Sequence, residues 1–420
     1  MKTILLHHLG VPCISSVAEQ GSSSKRESGK VYLNPEAIIR YEPGGAVIIP
    51  PMLYSSFLYA DKELANLLKK RSFEAGEISY NTFSLLSENE VISREREKKN
   101  IPYKEFSVDV DDLPIQCLLE VTSTCDCQCA SCYHASSLEG YRPSLKVLER
   151  MVAQLKHLGL GLFEVTGGEP FLRNDLGDVL EYIYSQGLQF YVVTNGSLLA
   201  KANTSLIKTL KKGLGLAVSL DGVDEIHDRI RNHPGLFKKL LAGLDLASEN
   251  GIKPYLISTL NRLNVSCVEK MIAIAERYNT TLHLRPSVRT GNALKNALAD
   301  IDLRLFLKPF LNHPNVRNGL ISTKKVIPVA RYYGCGIRKR ISISPRGILY
   351  PCVMDRERPS VDIMSLDRTG LVKNLAEETK RFLDKNDKCR NCQINKTNPD
   401  DLTCGGLCRF SKSYRKEVTK

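Results

Sequence analysis

No uninterrupted apolar run in this chain approaches the roughly 20 residues that span a bilayer, so a membrane partner is not expected. A clear export signal is also missing. Met1 to Ala18 has one lysine and an apolar start, but His7-His8 and Pro12 interrupt it and no convincing cleavage site follows. Cysteine is scarce at the beginning, where only Cys13 of the thirteen precedes Cys117. In a small secreted domain thirteen cysteines would suggest disulfides. In 420 residues without an export signal, short-spaced cysteines fit metal binding in a reducing compartment, and the expected location is cytoplasmic. Acidic residues fall short of basic ones, 46 against 59, for a net charge of +13. That balance suits acidic partners. The basic residues are scattered, however, so a solvated surface reads at least as well and nucleic acid is not expected. The length suits a full-size core with one or two appendages.

What the chain does have is concentrated between Thr122 and His134. Cys125, Cys129 and Cys132 form C-x3-C-x2-C, which brings three thiolates onto one short loop. Three soft ligands suit an iron–sulfur cube, and the missing fourth leaves one iron open to a small molecule. Downstream, the apolar run Leu162-Phe163-Glu164-Val165-Thr166 leads into Gly167-Gly168-Glu169-Pro170. Paired glycines after a strand let the backbone approach a ligand closely, and Glu169 can accept from an ammonium group. Cys13, Cys117, Cys127 and Cys267 match no motif and read as ordinary thiols.

From Ile115 onward strands and helices alternate. Ile115–Val121, Leu162–Thr166, Phe190–Thr194, Leu214–Leu220, Tyr255–Leu260 and Leu282–Pro286 read as near-continuous apolar strands. Between them, Leu145, Leu148, Met151, Val152, Leu155 and Leu158 keep helical spacing, as do Leu176, Val179, Leu180 and Ile183, and later Leu236, Phe237, Leu240, Leu241 and Leu244. Six repeats imply an α/β fold with a parallel sheet, here a partial (βα)6 TIM-like barrel over residues 111–315. Cys125, Gly167, Asn195, Ser219, Asp221 and Asn261 each fall at or just past a strand's C-terminal end, the face where such barrels collect their sites. Asn195-Gly196 and Asp221-Gly222 are also strong turn dipeptides, so turn formation is an equal reading for both.

The flanks differ in texture. Residues 1–30 end in a polar stretch and read as a flexible segment. Residues 31–100 carry short apolar runs, Ala37–Tyr41 and Ala46–Ile49 around the turn Glu42-Pro43-Gly44-Gly45, then a helical stretch near Leu64–Leu68. Two strands, a turn and a helix make a small α+β module. The run from Arg94 to Lys99 reads as a linker or solvated helix end. After Phe310 the alternation stops, and the last 86 residues carry six cysteines.

Together the cysteine loop and the Gly-Gly-Glu-Pro segment resemble the radical S-adenosylmethionine (AdoMet) superfamily. The resemblance implies a [4Fe-4S] cluster on Cys125, Cys129 and Cys132, whose open iron chelates AdoMet, with Gly167, Gly168, Glu169 and Pro170 holding its amino end. It extends through Val192–Gly196 and Ser219–Gly222 to His227–Arg231. There it implies that Asn195, Ser219, Asp221 and Arg231 line the cofactor pocket, Ser219 and Arg231 as contacts. The family usually has an aromatic before the last cysteine; Ser131 stands there, and Tyr133 is the candidate substitute.

Residues 325–420 resemble the SPASM extension of such enzymes. Cys335, Gly347 and Cys352 fit its first half; Cys389, Cys392, Cys404 and Cys408 follow with a longer gap and no final cysteine. This implies one or two auxiliary iron–sulfur clusters, Cys335, Cys352 and Cys408 serving one and Cys389, Cys392 and Cys404 the other. A structural zinc site on Cys389, Cys392, Cys404 and Cys408 is the alternative.

The implied activity is generation of a 5′-deoxyadenosyl radical that modifies a ribosomally synthesised peptide, as a maturase forming a carbon–carbon, ether or thioether cross-link. A reductant such as flavodoxin or ferredoxin is the implied second partner. The N-terminal module loosely resembles leader-peptide recognition domains, which add the peptide to a sheet edge; a structural cap is the other reading. Competing functions are an anaerobic sulfatase-maturating enzyme, against which Val353 rather than an aspartate follows Cys352, a redox-cofactor biosynthesis enzyme, and an iron–sulfur sensor that binds nucleic acid. No catalytic acid or base is legible.

Overall fold

The structure, a computed structural model, describes residues 27–51, 58–97, 104–109, 113–134, 137–287, 291–298, 308–310, 313, 315–318, 340–350 and 361–385. These fall into two compact units that meet in sequence between Leu113 and Pro114.

The first unit is richer than two strands, a turn and a helix. Its strands are β1 (Lys30–Leu33), β2 (Ile38–Glu42), β3 (Gly45–Ile49), β4 (Leu58–Asp61), β5 (Ser72–Glu74), β6 (Ile92–Ser93) and β7 (Lys104–Ser107). They form one sheet in the order β4-β3-β2-β7 and a second in the order β5-β1-β6. Helix Lys62–Lys69 starts where the Asp61 carboxylate accepts from Leu64 N at 2.8 Å, and helix Tyr80–Glu88 starts on Ser79 in the same way. Ile39, Tyr41, Ala46, Ile48 and Leu58 from one sheet face pack with Leu64, Leu68, Leu85 and Leu86. Arg40, on the other face, is fully buried with Glu42 and donates to Leu113 O at 2.7 Å. Arg94 does not behave as a linker residue: it pairs with Glu27, donates to Ser28 O and lies over the Phe83 ring.

The second unit is built on β8 (Gln116–Thr122), β9 (Leu162–Gly167), β10 (Gln189–Thr194), β11 (Leu216–Ser219), β12 (Pro254–Leu260), β13 (Leu282–Pro286), β14 (Val316–Asn318), β15 (Arg340–Ile343) and β16 (Leu349–Tyr350). Their order is β14-β13-β12-β11-β10-β9-β8-β15-β16, parallel throughout except for the β15–β16 pair. The six expected strands are present, with ends shifted by no more than two residues. The alternation was expected to stop after Phe310, yet β14 continues the sheet at one end and β15 returns from far along the chain to pair with β8. Strands so short carry too little periodicity to be read alone.

One sheet face supplies the core. Cys117, Leu119 and Val121 of β8 and Phe163 and Val165 of β9 pack with Leu148, Met151, Val152 and Leu155 of helix Leu145–His157. Each such leucine contributes roughly 1.5–3 kcal/mol by leaving water. Cys117 and Cys267 belong to this core. The alternate residues face the other way and are not apolar throughout, because β8 and β9 place Gln116, Glu120 and Glu164 there. Gln116 Nε2 donates to Tyr191 OH at 2.9 Å and to Glu164 at 3.3 Å, and Tyr191 donates to Glu164 as well.

Candidate metal and cofactor site

The loop that leaves β8 at Thr122 is tied on every side. Cys125 N donates to Ser137 O at 2.9 Å, Ala130 N to Ile230 O at 2.8 Å, and Cys132 N to Cys129 O at 3.2 Å. The short helix Gly291–Lys295 covers its far end: Asn292 N reaches Cys132 O at 2.8 Å, Asn292 Nδ2 reaches Cys129 O at 3.0 Å, and Asn296 Nδ2 reaches Ala130 O at 2.8 Å. A loop whose carbonyls and amides are already paired has little to reorganise when a metal arrives. Cys125, Cys127 and Cys129 are buried together against Leu236, with Cys132 half-buried beside them.

Asp126 anchors the loop to the end of β10. Its carboxylate accepts from Asn195 Nδ2 at 2.8 Å and from Ser197 Oγ at 2.6 Å. Asn195 Nδ2 also donates to Cys127 Sγ at 3.2 Å, while Asn195 Oδ1 accepts from Ser197 N at 2.8 Å. Asn195 therefore builds its turn and holds the cysteine loop at once. Asp126, Ser197, Asn292 and Asn296 were not legible as site residues, because only their positions after folding reveal the shared partner.

Gly167 and Gly168 permit a close approach within the chain. A Cβ on Gly167 would lie 2.1 Å from Thr122 O, and one on Gly168 would lie 2.1 Å from Thr124 O. Gly168 N and Glu169 N donate to those same two carbonyls, at 2.7 and 2.8 Å. The glycines bring the end of β9 against the base of the cysteine loop.

Glu169 is fully buried. Its carboxylate accepts from Thr194 Oγ1 at 2.7 Å, Asn195 N at 2.7 Å and Phe171 N at 3.0 Å. Three protein donors hold this group, which links β9 to β10. Burial still pushes its carboxyl up to about 7, against those donors. A carboxyl raised above its unfolded value near 4.5 favours the fold fully below that value, and the benefit is lost as pH rises through about 7. The differential is about 3 kcal/mol. Glu169→Gln is therefore expected to flatten the fall in urea midpoint between pH 5 and 8 relative to the parent. Parallel profiles would show that Glu169 does not titrate there.

Arg231 closes the other side. Its Nη2 pairs with Asp221 Oδ2 at 2.7 Å and its Nη1 donates to Cys129 Sγ at 3.6 Å. Asp221 Oδ1 also accepts from Thr259 N at 2.7 Å. Asp221 is thus the buried counter-ion of Arg231, and Asn264 Nδ2 donates to its backbone carbonyl at 3.1 Å. A hydrogen bond from Cys127, aided by the Arg231 charge, lowers the Cys129 thiol to about 6, whereas Cys127 itself is raised. Asn261 is buried and spends its side chain on its own turn, with Leu263 N and Thr259 O. Ser219 ends β11 half-buried. Tyr133 OH donates to Glu120 Oε1 at 3.4 Å, and Glu120 Oε2 meets His134 Nε2 at 3.1 Å. Cys335, Cys352, Cys389, Cys392, Cys404, Cys408 and Cys13 lie outside the described residues.

The Radical SAM superfamily profile matches residues 119–275. The antilisterial bacteriocin subtilosin biosynthesis protein AlbA of Bacillus subtilis (strain 168) is 32% identical over 142 residues, 33% of this chain and 32% of that protein. The Fe-coproporphyrin III synthase of Methanosarcina barkeri is 29% identical over 184 residues, 43% of this chain and 45% of the synthase. The chain thus spans less than half the length of either relative. Among solved structures, Streptococcus suis SuiB bound to S-adenosylmethionine shares the fold with a TM-score of 0.60 at 14% identity, over 92% of this chain and 97% of SuiB.

A [4Fe-4S] cluster and AdoMet, the cofactors of this superfamily, fit the residues present. Three buried or half-buried thiols converge on one prearranged loop. Arg231 Nε and Ser287 Oγ, one residue beyond β13, are buried polar atoms with no partner among the described residues, as expected of groups that meet a polar ligand. On the cysteine loop, the glycines that seat it and the matching profile together, residues 119–275 are a radical SAM domain.

Proposed function

We propose that this chain is a radical AdoMet oxidoreductase that modifies a ribosomally made precursor peptide by cross-linking it through a carbon–carbon, ether or thioether bond. The observation that carries the reading is the set of Cys125, Cys129 and Cys132 on a loop whose backbone is paired before any metal binds. A cluster held by these thiolates, with AdoMet on its open iron, supplies a 5′-deoxyadenosyl radical able to take hydrogen from carbon. The protein's part is to hold and to exclude water. Gly167 and Gly168 seat the loop, Glu169 joins β9 to β10, and Arg231, fixed by Asp221, sets a positive charge beside Cys129. Asn195, Ser219 and Pro170 complete the wall.

The similarity to a bacteriocin biosynthesis protein and the shared fold with SuiB, which has also been solved with its precursor peptide SuiA, support a peptide substrate. In this reading residues 111–315 form the partial (βα)6 barrel. Residues 325–420 carry auxiliary clusters on Cys335, Cys352, Cys389, Cys392, Cys404 and Cys408. The N-terminal module captures the leader, and a flavodoxin or ferredoxin supplies electrons. Strands β4 and β7 are the two end strands of their sheet among the described residues, each paired on one side, so both are edges to which a strand can add. Among the described residues no helix is long and apolar enough to cross a membrane, and we assign the protein to the cytoplasm.

The test is anaerobic reconstitution with AdoMet, dithionite and short peptides encoded beside the gene. Accelerated 5′-deoxyadenosine release with loss of two hydrogens from one peptide supports the reading. The similarity to Fe-coproporphyrin III synthase favours a second reading, in which the substrate is a porphyrin. Conversion of iron-coproporphyrin III with no peptide response would replace the first reading with the second.

A further inference from the structure

Gln128 precedes Cys129 directly, and among the described residues of the loop from Thr124 to Cys132 it alone is exposed. The loop therefore meets solvent at a residue whose peptide bond leads straight to one of the three sulfurs. Asn232 Nδ2 donates to Gln128 Oε1 at 3.4 Å. One cation is tied to each arm of the loop beside this tip. Lys239, exposed on helix Leu236–Glu249, donates from Nζ to His233 Nε2 at 2.9 Å, and His233 Nδ1 donates to Asp126 O at 3.2 Å. Arg262, exposed just past β12, donates to Asn296 O at 3.4 Å, and Asn296 Nδ2 donates to Ala130 O at 2.8 Å. Arg229 and Lys295, both exposed, directly precede Ile230 and Asn296, the two residues that hold Ala130. The carboxylates that adjoin this rim in sequence are taken up elsewhere. Asp126 accepts from Asn195 and Ser197, and Asp228 accepts from Gly235 N and Phe237 N. A scattered surface lysine is only a solvated side chain, whereas these cations surround the one exposed point of the cysteine loop.

We propose that the Gln128 tip, with its rim of Lys239, Arg262, Arg229 and Lys295, is the docking surface for a small acidic electron-carrier protein. A carrier seated there passes one electron to the cluster held by Cys125, Cys129 and Cys132. The carrier is oxidised by one electron, the cluster is reduced by one, and no bond forms or breaks. Encounters between redox proteins bury little surface, so opposite charge, more than area, brings the partners together and makes the rate fall with salt. The inference rests on the cluster reading above and adds where its electron enters.

The test compares the reconstituted parent with the double variant Lys239→Glu and Arg262→Glu. It measures the affinity of each for an acidic flavodoxin, and the rate at which reduced flavodoxin or, separately, reduced methyl viologen raises the EPR signal. The viologen is a small cation and has no use for a basic rim. At about 50 mM salt the variant is expected to bind flavodoxin at least about tenfold more weakly and to be reduced by it at least about tenfold more slowly. Both gaps are expected to close to about twofold at about 1 M salt, with reduction by viologen matching the parent throughout. Lys211→Glu changes the charge on the connection into β11, at the opposite end of the parallel strands from the loop, and is expected to behave as the parent. A parent that viologen does not reduce would overturn the cluster reading itself. A reducible parent whose double variant binds flavodoxin and takes its electron at parental strength and rate would overturn this inference alone. An equal loss in Lys211→Glu would do the same, by reducing the effect to net charge. So would a double variant that loses affinity for single-stranded DNA while keeping flavodoxin, because the rim would then belong to nucleic acid. Should the double variant fail to fold by circular dichroism, Arg229→Glu with Lys295→Glu carries the same outcomes.

Discussion

Cys129→Ala is expected to cut 5′-deoxyadenosine release by the reduced, reconstituted enzyme at least about a thousandfold, some 4 kcal/mol of lost barrier reduction. The substitution takes one thiolate of three, and the two that remain cannot hold a cube with a single open iron. It also takes the sulfur to which Arg231 Nη1 donates, but Arg231 keeps Asp221 as counter-ion, so the fold is spared. Removing one buried sulfur costs about 1 kcal/mol, a melting shift of a few degrees in a unit of this size. Iron content, the EPR signal of the reduced protein and the melting temperature separate the two effects. Release at the parental rate would refute the assignment of the loop.

Gly168→Ala is expected to destabilise the second unit by more than about 4 kcal/mol, the range reserved for a clash that backbone cannot relieve. Its Cβ would sit 2.1 Å from Thr124 O, 2.5 Å from Thr124 C and 2.9 Å from Ser123 C, and Glu169 N donates to that same Thr124 carbonyl. Relief requires pulling the root of the cysteine loop away from β9, so iron retention should fall along with the urea midpoint. Gly187→Ala is the control. Gly187 has φ of +75° and nothing within 4 Å of an added Cβ, so the cost there is only about 1–2 kcal/mol of left-handed backbone strain. A loss at Gly168 no larger than that at Gly187 would show that the root of the cysteine loop yields to the added Cβ.

The six central strands were legible because parallel strands inside an α/β unit need long apolar residues on the helix-packed face, and Leu119, Phe163, Val192 and Leu256 supply them at local spacing. The cysteine loop was legible because ligand geometry constrains neighbours in sequence. What escaped depends on distance along the chain. Asn195 reads as half of an Asn-Gly turn, and nothing near it indicates that its amide serves Asp126 and Cys127, 69 and 68 residues away. Asn292, on the short helix Gly291–Lys295, and Asn296, just after it, read as ordinary polar residues until the fold lays this segment over Cys129, Ala130 and Cys132. Gly167 and Gly168 were marked as places where a ligand comes close, and that the chain's own carbonyls come close there too is visible only after folding. The first unit was underread because β5, β6 and β7 are two to four residues long, and partners supplied by the rest of the chain define them.

Strand β15 carries a consequence for how the molecule is made. It lies parallel to β8, with Arg340 opposite Gln116 and Ile343 opposite Leu119, so the strand that launches the cysteine loop has one flank filled only by residues synthesised more than two hundred positions later. On the ribosome β8 to β14 can assemble first, but they emerge with a raw edge, and joining elements so far apart is slow. A nascent or nicked product ending before Arg340 would carry that edge permanently, which makes sticking to other chains, rather than loss of chemistry alone, the mark of premature termination.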